Sequence, residues 1–102
     1  MMKQICIALV IFLLLLAAQA QAHSLFFSLV ADGPDSVELA GAFSDGTLAA
    51  GIPVKVYAKD DGRLLWQGRT DEFGLCLFQR PGGPYEVELD AGPGHRVRED
   101  GI

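Results

Sequence analysis

Two histidines are the residues of this 102-residue chain best equipped for chemistry, His23 and His95. His23 follows Ala18-Gln19-Ala20-Gln21-Ala22, and an export peptidase that needs small residues at −3 and −1 finds them as Ala18/Ala20 and as Ala20/Ala22. Either cut makes a metal chelate. After Ala22, His23 becomes the first residue and offers its free α-amine and its imidazole to one ion. After Ala20, the start Gln21-Ala22-His23 offers the amine, two deprotonated amides and the imidazole. Four nitrogens in a plane suit Ni(II) and Cu(II), although an N-terminal Gln21 can cyclise and lose its amine. The plainer reading of His23 is the first residue of a strand. His95 stands five residues beyond Asp90, close enough for a neutral imidazole to serve as a second ligand with its tautomer set by the carboxylate. The plainer reading there is a turn at Gly92-Pro93-Gly94 that His95 packs on and Asp90 caps. The metal candidates are therefore His23, His95 and Asp90.

Other reactive types have simpler explanations. Cys76 lies in an apolar stretch, where a thiol serves as a small buried hydrophobe. The acid pairs Asp60-Asp61 and Asp71-Glu72 lack the spaced run of oxygen ligands that Ca²⁺ requires, and read as turn residues. Trp66 with Tyr57 could form an aromatic platform for a sugar, against the alternative of core packing. Ser24, Ser28, Ser36 and Ser44 lack a G-x-S-x-G context, and the histidines lack a metalloprotease spacing. The chain reads as no enzyme, with no enzymatic cofactor.

The elements that must position these residues begin with an export signal. Lys3 precedes an unbroken apolar run from Ile5 to Leu16, and Ala17 to Ala22 is small or amidic, so residues 1–22 predict an N-terminal signal helix that is later removed. The run is short for a bilayer span, which takes ~20 apolar residues. Removing Lys3 with the signal deepens the net charge of −5 by one unit, because all 13 Asp and Glu remain. No cluster of Lys or Arg exists to neutralise phosphates, so nucleic acid is excluded as a partner. Cys6 leaves with the signal, which leaves Cys76 with no internal disulfide partner, and no cysteine stands at the cleavage point to carry a lipid.

Residues 23–102 then form one domain. Short extended runs are cut by Gly, Pro and Asp about every ten residues, the spacing of an all-β sandwich of about seven strands. The expected strands are Leu25 to Ala31, Ser36 to Phe43, Val54 to Ala58, Arg63 to Thr70, Leu75 to Gln79, Tyr85 to Leu89 and His95 to Arg98. Alternation turns Val54, Val56 and Ala58 inward, and sets Tyr85, Val87 and Leu89 against Glu86 and Glu88. The expected core adds Leu25, Phe27, Leu29, Val37, Leu39, Phe43, Trp66, Cys76 and Phe78. Leu64, Leu65 and Trp66 are consecutive, so periodicity does not decide which of them faces inward.

Gly51-Ile52-Pro53-Val54-Lys55-Val56 and Gly68-Arg69-Thr70-Asp71-Glu72-Phe73-Gly74-Leu75-Cys76-Leu77-Phe78 together resemble the transthyretin-like, or carboxypeptidase-regulatory, β-sandwich. Its members share G-x-P-V-x-V and G-x-T-D-x-x-G-x-F-x-F, with Cys76 here in place of a usual Phe. A narrower resemblance rests on His23, on Phe43-Ser44-Asp45-Gly46-Thr47, and on Asp90-Ala91-Gly92-Pro93-Gly94-His95-Arg96, which fills the pattern Asp-Ala-Gly-x-Gly-His-Arg. These residues are similar to the small extracytoplasmic accessory components of energy-coupling-factor nickel and cobalt transporters. That resemblance implies an exported, periplasmic or extracytoplasmic, non-catalytic protein that partners a membrane permease and handles Ni²⁺ or Co²⁺. The alternative is a secreted adhesion or carbohydrate-binding sandwich that uses Trp66 and has no metal role.

Overall fold

The computed structural model describes residues 23–102; the expected signal helix over 1–22 lies outside the described residues. The described chain forms seven strands: β1 (Leu25–Ala31), β2 (Ser36–Phe43), β3 (Pro53–Ala58), β4 (Leu64–Arg69), β5 (Leu75–Gln79), β6 (Tyr85–Asp90) and β7 (Arg96–Asp100). They make two antiparallel sheets, ordered β1-β2-β5 and β4-β3-β6-β7. This is an all-β sandwich. The last strand starts one residue later than expected and runs two further, so His95 sits in the turn before it.

Strict alternation decides which side chains enter the core, because successive residues of a strand point to opposite faces. Val37 and Leu39 from one sheet meet Val54, Val56, Val87 and Leu89 from the other, and all six are fully buried. Leu25, Phe27, Cys76, Phe78 and Tyr85 extend this core, while Leu29, Phe43 and Trp66 are half-buried against it. Phe78 joins the sheets: Trp66 stacks on it at 5.8 Å between ring centres, and Tyr85 meets it edge-on at 6.1 Å.

The ambiguity in β4 is resolved by its partner. The β3–β4 register slips between Val56 and Tyr57, so Val56 opposes Trp66 but Tyr57 opposes Leu64, and Leu65 is left out of the pairing. Trp66 therefore turns inward, while Leu64 and Leu65 are exposed. Buried residues from outside the expected core include Ala49 in the β2–β3 connection and Thr70 just after β4.

The outer faces of the two sheets differ in chemistry. On the four-stranded sheet, register sets Lys55 beside Glu88 and Glu88 beside Arg98, with Asp90 beside Arg96 in the next row. Opposite charges thus alternate across strands, an arrangement that favours pairing. Glu88 is only 8% exposed under this cover, although alternation alone put it on the solvent side. On the three-stranded sheet the outward rows are Phe26–Ala42–Leu48, Ser28–Ala40–Leu75 and Val30–Glu38–Leu77, with a single charge among them.

Candidate functional site

The chain enters the fold at His23, and the residues just after β2 hold it there. Ser44 donates its amide to the Ser24 carbonyl, and the Ser24 amide donates to Ser44 Oγ, both at 2.8 Å. One residue further along each segment, His23 Nδ1 lies 3.0 Å from Asp45 Oδ2. The other Asp45 oxygen accepts the Thr47 amide at 2.9 Å, the geometry of an Asx turn at Asp45-Gly46. The amide and hydroxyl of Thr47, and to a smaller extent His23, hold the Asp45 carboxyl below its ordinary value. A carboxylate can only accept, so the ring proton of His23 belongs on Nδ1 and a neutral ring keeps its Nε2 lone pair free. The imidazole remains well exposed at 58% of its side-chain surface.

This arrangement has two chemical uses. An imidazole that donates one N–H to a carboxylate while its other nitrogen stays open is the usual state of a metal-ligating histidine. Alternatively, the spacing of 3.0 Å between Nδ1 and Oδ2 is also that of two adjacent donors around one ion at about 2.1 Å each. In the second mode Asp45 becomes a ligand beside the His23 ring and the α-amine that processing after Ala22 would create.

His95 occupies the same end of the sandwich by another route. Its ring meets Phe43, the last residue of β2, edge-on at 6.2 Å and 70°. Its backbone closes the β6–β7 turn, accepting the Ala91 amide and donating to the Gly92 carbonyl. Asp90 does not orient the His95 ring. One of its oxygens accepts the Gly92 amide at 2.9 Å and the other binds Arg96 at 3.1 Å. Those two groups, the Gly92 amide first, hold its carboxyl below the ordinary range. The carboxylate–imidazole pairing expected at Asp90 and His95 is found instead at Asp45 and His23. Asp45 pairs with a residue 22 positions away, which no local pattern displays; its one local signal is the Asx turn into Thr47. Among the described residues, no three His, Cys, Asp or Glu side chains converge closely enough to hold a metal.

Comparison of the chain with protein-family models, with curated proteins and with solved structures yields no match.

The remaining candidates occupy other parts of the fold. Asp60 and Asp61 accept backbone amides of the β3–β4 turn, and Asp61 also pairs with Arg63 at 3.0 Å. Asp71 accepts the amides of Phe73 and Leu75. Tyr57 and Trp66 lie on opposite faces of their sheet, Tyr57 outside beneath the Arg98 guanidinium at 4.1 Å and Trp66 inside on Phe78. They do not form a shared platform. Trp66 does border an open groove of about 520 Å³ with Arg63, Arg80 and the Pro81–Pro84 loop.

Proposed function

We propose that this protein works outside the cytoplasmic membrane as a non-catalytic partner of a nickel or cobalt permease, presenting a divalent ion at its N-terminal end. The observation that carries the reading is the His23–Asp45 pair: an exposed imidazole at the expected new N-terminus, with its tautomer set by a carboxylate that a turn holds ionised. Supporting it are the export-type residues 1–22, the acidic balance that raises local cation concentration, and the Asp-Ala-Gly-x-Gly-His-Arg segment. That segment forms the β6–β7 turn and brings His95 to Phe43, at the end where His23 sits. Within this proposal the carboxylate at the ion is Asp45, and Asp90 shapes the turn. The resemblance to energy-coupling-factor accessory components supplies the permease as partner.

The test is a Ni²⁺ and Co²⁺ titration of the exported, processed protein, after its N-terminus has been sequenced. His23→Ala is expected to lose most of the binding and Asp45→Ala to weaken it, since outer partners of a ligand typically contribute about 10- to 100-fold. Equal affinities for the parent protein and His23→Ala would overturn the metal reading. Ligand nitrogens must shed protons to coordinate, so binding weakens in acid.

A further inference from the structure

β1 is an outer strand of its sheet, and among the described residues nothing pairs with its second side. In antiparallel pairing a residue turns both backbone groups toward its neighbour strand or both away. Ser24 turns toward β2, since its carbonyl accepts the Ser44 amide, and so does Asp32, which donates to the Ser36 carbonyl. Phe26, Ser28 and Val30 share that direction. Leu25, Phe27, Leu29 and Ala31 therefore point their N–H and C=O groups away from β2, at the open side. β2 agrees from its own side, because Gly41, opposite Phe27, directs its backbone groups to Gly74 and Ala49, away from β1.

The other outer strands are blunted or short, as exposed sheet edges generally are. β7 is Arg96-Val97-Arg98-Glu99-Asp100, and pairing it with itself about its centre would set Arg98 against its own copy. β4 carries the register slip, Gly68 and Arg69. β5 is only 5 residues long. β1 has 7 residues, Leu-Phe-Phe-Ser-Leu-Val-Ala, with no charge, proline or glycine. Its outward side chains Phe26 and Val30 are 52% and 61% exposed.

We infer that β1 is the contact between two copies of this chain, paired antiparallel across a two-fold axis at Ser28. In that register Leu25 meets the partner's Ala31 and Phe27 meets the partner's Leu29. Every amide and carbonyl on the open side of β1 then finds a hydrogen bond, and a shift in either direction leaves the end residues unpaired. On the outer face Phe26 lies across from the partner's Val30, an aromatic against a β-branched side chain, which is a favourable cross-strand pair. Ser28 lies across from the partner's Ser28, and no like charges meet. The pairing joins two three-stranded sheets into one of six strands and brings the exposed Phe26 and Val30 side chains of the two copies into contact across the seam. One strand of ~23 Å length buries well under the ~800 Å² per partner of a standard interface. The dimer therefore forms reversibly as concentration rises.

Sedimentation of the exported, processed protein from micromolar to near-millimolar concentration tests this. The parent chain is expected to pass from monomer to dimer. Ser28→Lys and Ser28→Glu, each alone, set like charges directly opposite and should weaken association by up to about fivefold, while an equimolar mixture of the two should restore it. Ser28 is exposed and its backbone bonds face β2, so far-UV circular dichroism and melting temperature should hold in both variants. Leu77→Lys on β5 should leave association unchanged. A parent chain that stays monomeric throughout, Ser28 variants that associate like the parent, or loss of association only in Leu77→Lys would each overturn the inference.

Discussion

The Thr70 hydroxyl donates to the Ala49 carbonyl and accepts the Ile52 amide at 2.8 Å, so one buried side chain closes the β2–β3 connection onto the end of β4. Both backbone groups would be stranded without it. Thr70→Val keeps the shape and removes both bonds, and should cost about 1–3 kcal/mol, the desolvation cost of a buried group left unsatisfied. Urea denaturation measures this. Thr70→Ser, which keeps the hydroxyl, should recover most of the loss, and a Thr70→Val stability equal to the parent's would show that the loop is held elsewhere.

Gly74 comes so close to Gly41 that a side-chain carbon on it would lie 2.5 Å from the Gly41 carbonyl oxygen, and its φ is +76°. The obstacle is backbone, which cannot rotate aside. Gly33 has nearly the same φ, +78°, with nothing nearby. Gly33→Ala should thus cost about 1–2 kcal/mol for the left-handed conformation alone, and Gly74→Ala distinctly more. Paired denaturation curves give the comparison, and equal losses would contradict the close approach.

Cys76 is buried, and burial first and the charge of Asp71 second push its thiol above the ordinary value. The thiolate is the nucleophile. In the processed protein at neutral pH, iodoacetamide should label Cys76 far more slowly in the native state than in denaturant. Native labelling as fast as denatured labelling would remove it from the core.

Asp90 is held below the ordinary carboxyl value of 3.8 by the Gly92 amide and by Arg96. A depressed folded-state value means stability that is fully present above 3.8 and lost as pH falls from there through the lowered value. Asp90→Asn keeps an acceptor for Gly92 but gives up the charge, so its deficit against the parent should be steady near neutrality and shrink in acid below about pH 4. Denaturant midpoints across a pH series read this out, and a deficit that grows in acid would contradict the sign.

Alternation and turn chemistry were enough to determine where the seven strands lie and which faces turn inward, because a two-residue period encodes a buried face locally. Leu25 and Phe27, Val54 and Val56, and Val87 and Leu89 were all legible that way. Three consecutive apolar residues carry no such period, and it is the slipped register opposite Val56 and Tyr57 that turns Trp66, an expected core residue, inward and leaves Leu64 and Leu65 outside. The aromatic platform of Tyr57 and Trp66 dissolved for the same reason, as the two rings belong to opposite faces. Alternation places Glu88 on the solvent side of a half-buried strand, and its burial depends on arginines from a neighbouring strand. His23 was visible because a signal-like segment precedes it, whereas Asp45 became its partner only once β1 and β2 had paired. Hydrophobic pattern is a property of a few adjacent residues, so the sequence displays it directly. Which turn meets which strand end depends on how two sheets close over one core, and that information is spread over the whole chain.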